Sequence, residues 1–228
     1  MPDHTEIYQA KAETYDLLIS RQPGLLGVIE EVCAVEGKDV VDLGAGTGRL
    51  TLPIARKARS VLALDASAEM LRVAGRKLEQ AGLTNWRAKV SDHKRIETEA
   101  NSADLLVSGW SICYTASSNQ LEWEKDLGKV MEEIERVLRP GGTAVIFETM
   151  GTGVEQPHPP DFLLPYYEWL EQQYGFHHRW LRTDYQFDSV EEAVWLTEFF
   201  FGRELAGRVE QGRLTVLPEC AGMWWREY

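Results

Sequence analysis

Five short apolar runs, spaced by longer stretches of helical periodicity, constrain this chain more than any other feature. They are "DVVDLG" (39–44), "SVLALD" (60–65), "NWRAKVSD" (85–92), "ADLLVSG" (103–109) and "TAVIFE" (143–148). Runs this apolar suit strands of a parallel sheet covered on both faces. The third run alternates instead, with Trp86, Ala88 and Val90 set against Arg87 and Lys89. Between the second and third runs, Met70, Ala74, Leu78 and Ala81 share one helical face, and Gly82 is placed to end that helix. Before the fifth run, Leu127, Val130, Met131, Ile134, Val137 and Leu138 follow helical spacing until "RPGG" (139–142) breaks it. Strand and helix in alternation predict a doubly wound α/β sheet with right-handed crossovers. The end of the chain differs. "RWLRTDYQF" and "RLTVLPECAGMWW" read as strands around a helix opened by a Ser189–Glu192 capping box. They predict an antiparallel addition to the sheet, with Pro218 at an edge or bulge.

The 228 residues suffice for one domain with a large core. Acids outnumber bases 36 to 24, a net charge of −12, and the nearest basic cluster is the short "ARKARS" at 55–60. A nucleic-acid partner is therefore not expected. No apolar run approaches the roughly 18–20 residues of a membrane span. The polar N-terminus has no apolar stretch of the signal-peptide kind, so a cytoplasmic protein is expected. Cys33, Cys113 and Cys220 are scattered, which fits reduced thiols and no metal.

"DLGAGTG" follows the first strand and precedes a helix, where open parallel sheets bind ligands. Gly44, Gly46 and Gly48 permit a tight turn and close approach of a ligand to the main chain. The dinucleotide spacing G-x-G-x-x-G fails, because Arg49 stands where it needs glycine. The phosphate-loop pattern fails too, since no Gly-Lys-Ser/Thr follows.

The spacing that remains, an acid two residues before the first glycine, resembles the first motif of class I S-adenosylmethionine-dependent methyltransferases. Further motifs follow in the family's order: Asp65 in "LALDASAEML", Asp92 in "VSDHKRI", the fourth strand "ADLLVSGWS", and "VLRPGG" before the fifth. The resemblance covers about residues 8–150 and continues more weakly to the end. It implies a Rossmann-like sheet of seven mostly parallel strands with an antiparallel C-terminal strand and helices on both faces. The domain would be 1–228, divided into an N-terminal helical cap (1–36), a cofactor-binding core (37–150) and an acceptor-side segment (151–228). It also implies S-adenosylmethionine as cofactor, with S-adenosylhomocysteine as product. Asp65, followed by Ala66, would accept from both ribose hydroxyls, and Asp92 from the adenine amino group, with the His93 backbone N–H beside it. Met70 would pack on the adenine or ribose. Asp42 would sit under the turn and hold the loop amides or the cofactor ammonium through water. Gly44, Ala45 and Gly46 would meet the amino-acid end, as would the fourth strand with Ser108. "EIYQAKAETYDLL" looks like a helix closing over the cofactor, with Tyr8 and Tyr15 on one face toward the sulfonium.

Transfer of a sulfonium methyl is an in-line displacement that mainly needs alignment and exclusion of water. No general base can be carried over from the family; His158 and Tyr114 are the weak candidates. The acceptor is expected to be a small molecule, apolar or aromatic, above the fourth and fifth strands. Trp110 and Tyr114 would line one side, and Tyr166 and Tyr167 the other. From Pro157 to Trp180 there are seven aromatics in 24 residues, against 10% for the whole chain. That segment fits a lid over the acceptor, or a helix buried against the sheet or against a second subunit of a homodimer. Two other readings stay open. One is a nicotinamide-dependent oxidoreductase, against which Arg49 counts; the other is a cofactor-binding module without catalysis.

Overall fold

The computed structural model describes residue 2 and residues 4–228. Its strands are β1 (Asp39–Leu43), β2 (Ser60–Asp65), β3 (Trp86–Val90), β4 (Ala103–Gly109), β5 (Leu138–Thr152), β6 (His177–Arg182), β7 (Tyr185–Gln186), β8 (Val216–Leu217) and β9 (Glu219–Glu227). Three helices come first, α1 (His4–Ala10), α2 (Ala12–Ser20) and α3 (Leu26–Glu30). The crossovers carry α4 (Thr51–Ala55), α5 (Ala68–Gln80), α6 (Cys113–Ala116) and α7 (Trp123–Val137). The later helices are α8 (Leu164–Gln172), α9 (Val190–Phe201) and α10 (Arg203–Gly212).

Seven strands form one sheet in the order β3-β2-β1-β4-β5-β9-β6. Only β9 runs against its neighbours, inserted between β5 and β6. Strand order reverses between β1 and β4, which pair in parallel from Val40–Leu105 to Asp42–Val107. A crevice opens at the carboxyl ends of these two strands.

Successive strand residues point to opposite faces, and both faces are covered. Val41, Leu106, Ala144 and Ile146 pack with Leu127, Val130 and Ile134 of α7 and Leu170 of α8. Val40, Leu105, Val107, Val145 and Phe147 pack on the other face with Ile29 of α3, Ile54 of α4 and Leu78 of α5. Each buried aliphatic side chain contributes about 1.5–3 kcal/mol, so neither face has room for polar residues and the sequence shows unbroken runs. β3 is an edge strand, and four of its five residues are exposed, so it does not need an unbroken apolar run. At the opposite end of the sheet, Arg139 binds Asp104 at 2.7 Å and Asp39 at 2.9 Å, tying the starts of β1, β4 and β5 together.

Three expectations shift. Helix α7 stops at Val137, and Leu138 already pairs with Ala103 of β4. "RPGG" therefore lies in an irregular first part of β5, where the register slips between Ala103 and Leu105. Pro218 divides the last run. Before it lies β8, an edge strand paired with β7 in a small second sheet, and after it comes β9, which is interior to the main sheet. Lacking an N–H, Pro218 serves only as acceptor, for Gly153 N at 2.7 Å. The stretch "EIYQAKAETYDLL" lies in two helices, α1 and α2, rather than one, broken at Lys11 with φ −132° and ψ 30°. Among the described residues, no helix is long and apolar enough to cross a membrane.

Candidate functional site

The glycine turn is held by the end of β2. Gly44 N and Ala45 N both donate to Leu64 O, at 2.7 and 2.8 Å, and Gly46 N donates to Asp65 Oδ2 at 2.8 Å. The expectation that Asp42 holds these amides is corrected by that arrangement. Asp42 instead accepts from the Thr51 hydroxyl at 2.5 Å, and its Oδ1 is buried without a partner. Burial, reinforced by the Asp65 charge, pushes the Asp42 carboxyl up to about 7, although the Thr51 bond opposes the shift.

Two glycines in the turn have distinct reasons. Gly44 has φ +78°, and a Cβ there would lie 1.8 Å from Ser111 Oγ. Gly46 has φ +54° but open space beside it; a Cβ would meet only Met70 Cε, at 3.7 Å. The first glycine admits a neighbouring loop, and the second leaves a hollow.

That hollow belongs to a cavity of about 690 Å³, a size usual for small-molecule sites. Among the expected cofactor residues, Tyr15, Gly44, Gly46, Asp65, Ala66, Met70, Asp92 and His93 line it. Asp65 Oδ1 accepts from Ser67 N at 2.8 Å, so each carboxylate oxygen has one backbone donor and keeps lone pairs for a ligand. Asp92 stands at the exposed rim, accepting from Lys94 N at 2.8 Å. His93 reaches across Gly44 with its side chain, and its Nε2 lies 2.8 Å from Ser111 Oγ. Burial pulls the His93 pKa down against the opposing pull of Asp65 and Asp92. Ala45 turns inward against Ala63 and Leu71, and with Asp42 it borders only a small hollow of about 30 Å³ behind the turn. Ser108 lines no cavity. It is buried in mid-sheet opposite Ile146, its hydroxyl without a partner, because its strand position faces the packed interior.

A second cavity, about 740 Å³, adjoins the first and shares His4, Tyr8, Tyr15, Trp110 and Tyr114 with it. These residues form the partition. Tyr8 OH and Tyr114 OH are 2.7 Å apart, His4 Nδ1 is 3.2 Å from Tyr114 OH, and the Tyr8 and Tyr15 rings meet edge-on at 5.3 Å. Ser67 Oγ donates to Tyr8 O at 2.8 Å, which fastens α1 over the first cavity. Burial pushes the Tyr15 hydroxyl up to about 12 and the Tyr8 and Tyr114 hydroxyls higher still, so all three are neutral. Trp110 has φ +50°, a left-handed backbone that costs a tryptophan about 1–3 kcal/mol. The turn sets its ring over the Arg49 guanidinium, 4.3 Å from carbon to ring centre.

The second cavity contains His158 and Tyr114, and also Arg49, Glu219, Tyr185, Phe200 and Phe201. Tyr166 and Tyr167 are absent from it, which corrects the expectation that they face an acceptor. They point from α8 into the core with Phe176 and Trp224; Tyr166 OH donates to Glu148 at 3.3 Å and Tyr167 OH to Thr149 O at 2.7 Å. The aromatic segment is thus mainly packing, and only Phe162 of its seven rings reaches the cavity. Closure comes instead from α1 and from the end of α9, where His4 stacks on Phe200 at 4.3 Å.

Several site residues escaped the sequence reading. Glu219 lines the second cavity, and burial pushes its carboxyl up to about 8. Glu148, an acid at the end of an apolar run as Asp42 is, lines neither cavity; it is buried where Cys113 N donates to it at 2.9 Å, and burial pushes its carboxyl up to about 7. His4, Ser111 and the phenylalanines of α9 had no local signal.

Residues 40–142 match a family described as "Methyltransferase domain". The biotin biosynthesis bifunctional protein BioHC of Saccharophagus degradans is 31% identical over 140 residues, covering 61% of this chain and 23% of that protein. Demethylmenaquinone methyltransferase of Tropheryma whipplei is 30% identical over 131 residues, covering 58% and 47%. This chain spans less than half the length of these curated relatives. A crystal structure of a SAM-dependent methyltransferase from Aquifex aeolicus superimposes with a TM-score of 0.60 at 18% identity, covering 94% of this chain and 96% of that one.

Proposed function

We propose that this chain, which belongs to the class I S-adenosylmethionine-dependent methyltransferase family, methylates a small molecule seated in the second cavity. One observation carries the reading: two chambers of ligand size meet at a single aromatic partition, and one of them holds the glycine turn and the two carboxylates.

The residues of the first chamber suit the cofactor. Asp65 keeps lone pairs for a ribose diol, each charge-assisted bond contributing about 1.5–3 kcal/mol. Asp92 and His93 stand where an adenine edge would be read. The unpartnered Asp42 Oδ1 lies behind the turn, suited to an ammonium group. When bound, S-adenosylmethionine supplies an electrophilic methyl group that needs no protonated leaving group. The chain's own work is then to orient and to exclude water. The rings of Tyr8, Tyr15 and Tyr114 offer faces to a cation at the partition, worth roughly 0.5–2 kcal/mol. Their neutral hydroxyls can align an acceptor by hydrogen bonding, and α1 with Phe200 keeps bulk water out.

S-adenosylhomocysteine at 100 times its Kd should raise the melting temperature by roughly 5–10 °C. NAD should leave it unchanged. The reverse pattern removes the proposal.

A further inference from the structure

We infer that the methyl acceptor is a small carboxylic acid, its carboxylate held by Arg49 and its apolar or aromatic body lying against the rings of the second cavity. This rests on the proposed function, since it names the substrate class of the same site.

Arg49 is carried on the turn after Gly48 and stacks on Trp110. Its Nη2 is buried without a hydrogen-bond partner, and among the described residues no carboxylate lies within ion-pair distance of it. Arg49 is half-buried, and a guanidinium nitrogen shut away from water without an acceptor is costly. It lines the second cavity and the small hollow behind the turn, but not the first cavity. The hollow of about 30 Å³ is too small for a carboxylate with its body, whereas the second cavity of about 740 Å³ has room for both, so the missing anion is assigned to the acceptor side, and the cofactor carboxylate is the alternative the test must separate. A guanidinium fork matches a planar carboxylate in two parallel bonds.

The rest of the cavity agrees. Its interior acid, Glu219, accepts from Thr149 Oγ1 at 3.1 Å and leaves Oε2 buried and unpartnered. Burial raises that carboxyl to about 8, so near neutral pH it is mostly uncharged and does not cancel Arg49. Arg49 is thus a positive charge in the chamber's interior, with Asp161 at its exposed rim, inside a protein of net charge −12. Tyr185, Phe200, Phe201 and Phe162 supply apolar walls. Oε2 of Glu219 is left to meet a hydroxyl or amine on the acceptor.

The test uses the full chain saturated with S-adenosylhomocysteine. Calorimetry compares benzoate, phenylacetate, 4-hydroxyphenylacetate and hexanoate, each with its primary amide. In the wild type, at least one acid should bind tenfold or more tightly than its amide. Arg49→Gln should erase that preference while changing S-adenosylhomocysteine affinity less than threefold. Arg49→Lys, which keeps a charge but loses the two-bond fork, serves as the second variant if Arg49→Gln does not fold; it should cut the preference at least threefold, and an undiminished preference there overturns the inference. The inference falls if no acid outcompetes its amide in the wild type, or if Arg49→Gln retains the preference. It also falls if Arg49→Gln weakens S-adenosylhomocysteine but not 5′-methylthioadenosine, which would assign Arg49 to the cofactor carboxylate. Wild-type protein that binds no S-adenosylhomocysteine removes the proposed function and this inference together; any other failure removes this inference alone.

Discussion

Gly44→Ala tests whether the glycine turn is shaped by its neighbour or only by its own backbone. Two costs can be separated. The first is conformational: alanine at φ +78° is disfavoured by about 1–2 kcal/mol. The second is steric. The new Cβ would lie 1.8 Å from Ser111 Oγ and 2.3 Å from Ser111 Cβ, so the loop after β4 must move away. That movement breaks the His93–Ser111 hydrogen bond, worth about 0.5–1.5 kcal/mol. Together the substitution should cost about 2–4 kcal/mol of stability. In a Ser111→Gly background the two severe contacts are gone and only the His93 Nε2 contact at 3.2 Å, the tip of a side chain, remains, so the same substitution should cost only about 1–2 kcal/mol. Urea unfolding of the four proteins closes the cycle, with S-adenosylhomocysteine titrations on the same samples. Equal costs in both backgrounds would refute the reasoning, as would a loss below about 0.5 kcal/mol in the first.

Asp65→Ala should weaken S-adenosylhomocysteine at least tenfold with the far-ultraviolet dichroism unchanged; unaltered affinity would discard the ribose assignment. Asp42 has a raised carboxyl, about 7, and an ammonium beside Oδ1 would lower it. Binding at pH 7 should therefore release up to about half a proton, seen by calorimetry in buffers of different ionisation heat, and Asp42→Asn should abolish the release. Glu219 is raised to about 8 in the folded chain, so its contribution to stability is full below about pH 4 and is lost as pH rises through 8. Glu219→Gln should flatten that part of the unfolding free energy between pH 5 and 8, and an unchanged slope would count against the buried acid. Tyr167→Phe should cost about 1 kcal/mol through the lost bond to Thr149 O and leave acceptor affinity unchanged; a selective loss of turnover would return Tyr167 to the acceptor site.

The strands and the glycine turn were legible because both depend on local signals. Apolar runs mark β1, β2, β4 and β5, and the turn between β1 and α4 carries its chemistry within a few residues. The second chamber was not legible, since it is assembled from distant pieces. Arg49 and Glu219 are 170 positions apart, and nothing between them in sequence announces that β9 will thread between β5 and β6. Tyr166 and Tyr167 misled for a related reason. An aromatic-rich helix has the same composition whether it roofs a ligand or fills a core, and only Trp224 and Phe176 on the far side decide which.

The first chamber is lined wholly by residues 4–115, whereas the second needs Glu219. On a ribosome, the first chamber has all its parts long before the final strand emerges to finish the second. Substitutions in the last hundred residues can therefore reshape one wall of the second chamber without touching the first.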